Sequence, residues 1–94
     1  MSFDPLVEAI RRALRAVDHD PRSVPSYFSL IEAYERCADQ EGEAELLEQA
    51  GFVIRDVRKL PMSEDQVGRL EALEGRVAAV RERLLRGPAE FPDR

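Results

Sequence analysis

The stretch MSEDQVGRLEALEGRVAAVRERLLRG, from Met62 to Gly87, carries the reading from which the fold follows. Ser63 is an N-cap residue, Gln66 three positions on completes a capping box, and Met62 with Val67 has the spacing of a hydrophobic staple. Gly87 followed by Pro88 is a stop signal, because glycine accepts the left-handed conformation past a helix end and proline cannot continue the ladder. The spacing predicts a helix of about 23 residues, roughly 34 Å long at 1.5 Å per residue.

Two faces of this helix differ. Leu70, Leu73, Val77, Val80 and Leu84 alternate at spacings of three and four on one stripe, which Val67 and Leu85 extend, and such a stripe must be buried. Nearly opposite run Gly68, Ala72, Gly75 and Ala79, a strip with almost no side-chain volume. Glycine inside an exposed helix costs about 1 kcal/mol relative to alanine. The strip is therefore a candidate interface where another helix, from a partner or a second copy, meets the backbone; an indifferent solvated face is the plain alternative. Arg69, Arg76 and Arg83 repeat every seven residues along one edge of the seam, with Glu74 and Arg81 on the other. Self-pairing through the seam would oppose like charges in either orientation. The acidic segment Glu41, Glu43, Glu45, Glu48 offers those arginines a neighbour within the chain, so the seam is expected to pack internally and the small-residue face to be left outward.

Ninety-four residues make one domain, with a core modest enough that burial alone must hold it. Hydrophobic residues are 44% and charged residues 35%, a globular balance. A net charge of −5 opposes general affinity for nucleic acid or anionic lipid, which points to a protein partner. Cys37 is alone and His19 is the single histidine, so neither a disulfide nor an all-protein zinc site is expected, and no cofactor is implied. The N-terminus MSFDPL has neither a basic nor an apolar leader region, and no apolar run approaches membrane-spanning length. A cytoplasmic location is the resulting expectation.

In chain order, Asp4 and Pro5 form an N-cap and first-position pair, and Leu6, Ile10, Ala13, Leu14 and Val17 give a first helix one apolar face to about residue 17. Arg11, Arg12 and Arg15 lie on its outer side; with Arg22 they could contact phosphates, or simply form a solvated face answering Glu8 and Asp18. Residues 18–22 read as a turn holding His19. From Ser26 to about Gln40, Tyr27, Leu30, Ile31, Tyr34 and Ala38 repeat at helical spacing beside Val24 and Phe28, with Cys37 a small core residue at the edge. A third element begins at Glu43, with Leu46, Leu47, Ala50, Val53, Ile54, Val57 and Leu60 on one face. Gly51 could stop it and leave residues 52–58 as an intermolecular strand, but the 3.6-residue pattern crosses Gly51 without a break, so a continuous helix is expected to about residue 59. Phe52 then points away from the core and is a second interface candidate.

No phosphate loop, nucleophile elbow, paired metal ligands or Cys and His dyad occurs in the sequence, so catalysis is not expected. Tyr27, Leu30, Ile31 and Tyr34, followed by Leu47 and Ala50, resemble the helix-turn-helix of a tetratricopeptide repeat over about a third of the chain. Ile31 and Glu43 stand where small residues are usual, and one unit assigns no repeat family. The resemblance implies an antiparallel hairpin of the second and third helices. The expected architecture is all-α: a compact three- to four-helix bundle with a central hairpin and a long C-terminal helix, residues 1–87 forming one domain and residues 88–94 a flexible tail. Phe91 in that tail could serve as a short docking motif. The expected function is a small non-catalytic protein–protein interaction module, an adaptor, small chaperone or accessory subunit, using Gly68, Ala72, Gly75, Ala79 and Phe52; the alternative is a dimeric helical DNA-binding regulator.

Overall fold

The computed structural model describes residues 4–86, which form four helices: α1 (Pro5–His19), α2 (Val24–Glu41), α3 (Glu45–Val57) and α4 (Glu64–Arg86). No strand occurs among the described residues, and α3 runs through Gly51. Burying Leu47, Ala50, Ile54 and Val57 along one face of α3 outweighs the roughly 1 kcal/mol that a glycine costs mid-helix. The strand alternative for residues 52–58 is thereby overturned. The tail 88–94, with Phe91, and the Gly87 and Pro88 stop signal lie outside the described residues.

Helix ends follow local chemistry. Asp4 Oδ1 accepts a hydrogen bond from the Leu6 N–H at 2.9 Å, with Pro5 at the first helical position, where no N–H is needed. At α4 the capping box closes in both directions: the Gln66 N–H donates to Ser63 Oγ at 3.2 Å and the Ser63 N–H to Gln66 Oε1 at 3.0 Å. Gly42, at φ 69°, caps α2 and gives its N–H to the Ala38 carbonyl at 2.8 Å, a left-handed conformation that favours glycine. Four boundaries differ from expectation. α1 continues through His19, so that residue sits on the last helical turn and the reversal falls at residues 20–23; the Tyr27 hydroxyl pins it by donating to the Pro21 carbonyl at 2.8 Å. α2 begins earlier, at Val24, with Pro25 in its first turn, and α3 opens at Glu45 and closes at Val57.

Packing centres on α2. α1 packs on α2 alone, α3 folds back on α2 across a short turn as an antiparallel hairpin, and α4 lies against both α2 and α3. Having neighbours on several sides, α2 buries Val24, Phe28, Leu30, Ile31, Ala33, Tyr34, Cys37 and Ala38. α4 contributes Leu70, Leu73, Val77 and Val80, with Leu84 partly covered. Val67 and Leu85 do not extend that seam: they are 40% and 74% exposed. At 100° per residue both lie about a quarter turn from the middle of the stripe, beyond what α2 and α3 cover. Leu14, expected in the core, is 44% exposed, because a helix with a single neighbour buries only a narrow line, here Ile10, Ala13 and Val17. The molecule is flattened, with principal extents of 50 × 38 × 17 Å.

Candidate interaction surfaces

The arginine edge of α4 is used inside the chain. Arg69 pairs with Glu32, Arg76 Nη2 donates to Glu35 Oε1 at 2.8 Å, and Arg83 pairs with Asp39. The three pairs climb both helices in the same order, so α4 runs parallel to α2. Their acids belong to α2 and not to the segment Glu41, Glu43, Glu45, Glu48; that expectation is corrected because α4 lies alongside α2, with the turn and first turn of α3 beyond its arginines. Across the other edge Arg58, the C-cap of α3, pairs with Glu74. Exposed pairs contribute about 0–1 kcal/mol each. Glu35 differs, since it is 8% exposed and is the one buried charged residue among those described. Its spacing, four after Ile31 and three before Ala38, was the available signal, and a carboxylate there requires a partner.

Gly68, Ala72, Gly75 and Ala79 are all exposed and form the strip expected on the outer face of α4. A Cβ built at Gly68 or Gly75 would meet nothing within 4 Å. The isolated fold therefore does not require a glycine at either position. Phe52 is half exposed on α3, with the Arg55 guanidinium 5.5 Å from its ring centre, and belongs to a different helix from the strip.

Two grooves flank the core. Between α1 and α2, a groove of about 470 Å³ has a small-residue floor of Ala9, Ala13, Ala16 and Ala33, and its charges balance, Glu8 and Glu32 against Arg12 and Arg36. Between α3 and α4, a groove of about 550 Å³ has Gly51, Ile54, Val77 and Ala78 at its base. Its rim is basic: Arg55, Arg58, Lys59 and Arg81 against Glu74. Neither helix alone signals this second groove in sequence, because its walls are 15 or more residues apart and meet only in the fold.

The remaining candidates are chemically quiet. Burial pushes the Cys37 thiol above its usual range, and the carboxylates of Asp4, Glu41 and Glu43 push it further, so the thiolate is disfavoured. Burial likewise raises the Tyr34 phenol. His19 is exposed at the end of α1. Arg11, Arg12 and Arg15 are exposed on α1, Arg12 lying 3.7 Å from Glu8, and Arg22 is exposed in the turn. Among the described residues no cluster of His, Cys, Asp or Glu is placed to hold a metal ion, and no helix is long and apolar enough to cross a membrane. Comparison with protein-family models, curated proteins and solved structures finds no match to this chain. The tetratricopeptide resemblance thus rests on the α2–α3 hairpin alone.

Proposed function

We propose that this protein is a small non-catalytic protein–protein interaction module, of the adaptor, small-chaperone or accessory-subunit kind, acting in the cytoplasm and self-associating through the outer face of α4. The observation that carries the reading is the open strip of Gly68, Ala72, Gly75 and Ala79, with Val67 and Leu85 left exposed near its two ends. Val67 and Leu85 share one flank, roughly five turns apart. An antiparallel copy sets each Leu85 beside the other copy's Val67, and the small residues let the two backbones approach between them. The same arrangement brings the acidic first turn, Glu64 and Asp65, toward the basic last turn, Arg83 and Arg86, of the other copy. A parallel pair would oppose like ends. A lone buried cysteine suits a reducing compartment.

Sedimentation across a wide concentration range tests the proposal. The wild-type chain is expected to associate reversibly, and Gly75→Leu to shift it to monomer with helicity and melting temperature unchanged or raised, since the added side chain enters open space. A wild-type chain that stays monomeric at the highest concentration, or a Gly75→Leu variant with unaltered association, overturns it.

A further inference from the structure

The groove between α3 and α4 adjoins the self-association face at Ala78 and Arg81, and its rim differs from the rest of α4 in how its charges are answered. All three arginines on the α2 side of α4, Arg69, Arg76 and Arg83, are answered by a carboxylate. On the groove side only Arg58 is answered, by Glu74. Arg55 on α3, whose guanidinium lies over the Phe52 ring, Lys59 just past the end of α3, and Arg81 on α4 across the groove carry no ion pair among the described residues. The groove therefore concentrates three unanswered positive charges in a chain whose net charge is −5. Beneath them the base is apolar and has room to spare: a Cβ at Gly51 would meet nothing within 4 Å, and Ala78 across from it is also small.

We infer that this groove is a docking site for a short acidic peptide segment of a partner protein, one that carries carboxylates flanking a large apolar side chain. The apolar residue seats over Gly51 and Ala78, between Ile54 and Val77, and carboxylates on either side of it reach Arg55 and Lys59 on one wall and Arg81 on the other. Guanidinium groups suit this task because their planar forks hold carboxylates with two parallel hydrogen bonds. A volume of about 550 Å³ accepts one such anchor with its adjoining backbone. A nucleic acid fits less well, because the base of the groove offers aliphatic residues where bases would need aromatic stacking.

The test uses the full chain and a fluorescein-labelled synthetic peptide of glutamates with leucines at helical spacing, followed by anisotropy at low and physiological salt. The peptide is expected to bind, more weakly as salt rises, and Arg55→Glu with Arg81→Glu to lower affinity by roughly tenfold or more. Arg11→Glu with Arg15→Glu, which changes net charge equally on α1, is expected to leave binding nearly intact. Gly51→Leu is expected to abolish binding while preserving helicity and melting temperature, which separates a filled groove from a damaged fold. Gly68→Leu, on the strip but away from Ala78 and Arg81, is expected to keep peptide binding, so the groove and the self-association face succeed or fail separately. No binding at low salt, equal loss in the α1 and groove variants, unaltered binding in Gly51→Leu, or displacement of the peptide by single-stranded DNA at equal charge overturns the inference.

Discussion

Gly42 and Gly68 are the same residue put to opposite uses. Gly42 stands at φ 69°, where an L side chain is strained, while Gly68 has helical geometry and open space where a Cβ would lie. Gly42→Ala is expected to lower stability by about 1–2 kcal/mol through that backbone strain. Gly68→Ala, assayed in dilute solution, is expected to raise it by up to about 1 kcal/mol through helix propensity. Urea midpoints of the two variants check both signs; a stabilised Gly42→Ala would mean that α2 ends differently. Single residues were legible in the sequence wherever the local chain dictated their geometry, as with Asp4, Ser63 and Gln66. Glu35 was legible only in part: its spacing from Ile31 and Ala38 marks the buried face, but nothing in residues 24–41 names Arg76.

Among elements, α4 was the easiest to read and α2 the hardest to rank. An amphipathic reading relies on contrast between two faces, which α4 has in full: Leu70, Leu73, Val77 and Val80 are buried against an exposed strip of glycine and alanine. α2 lies under α1, α3 and α4 at once, so its apolar residues spread around the helix and its central place is muted in the pattern. The arginine ladder between these two helices is also unequal along its length. Arg76→Ala is expected to cost on the order of 1–3 kcal/mol, since it strands the buried Glu35 carboxylate, and Arg83→Ala to cost under about 1 kcal/mol, since Asp39 is open to water. Equal losses in thermal or denaturant unfolding would show that burial of Glu35 does not set the difference. Of the candidate surfaces, the α4 strip was readable from one helix alone, whereas the α3–α4 groove needed Arg55 and Lys59 to be brought opposite Arg81 by the fold.

At the scale of the molecule, the expected all-α bundle with a central hairpin and long last helix is present, but flattened around α2. α1 is the element this arrangement holds least: it has one neighbour, buries only Ala13 fully, and leaves Val7 and Leu14 at 39% and 44% exposure. Helices with few buried contacts open locally at lower free energy than the core. Backbone amides of α1 are therefore expected to exchange with deuterated solvent well before those in the middle of α2, by subglobal opening and not by unfolding of the whole chain. Equal protection in α1 and α2 would mean that the chain opens only as one cooperative unit. Detachment of α1 would bare the side of α2 that carries Ala33 at the α1–α2 groove, and the three-helix remainder keeps the arginine ladder, the outer strip and the basic groove. The first fifteen helical residues thus act as a removable cover, so a truncated chain beginning at α2 should retain peptide capture while losing solubility.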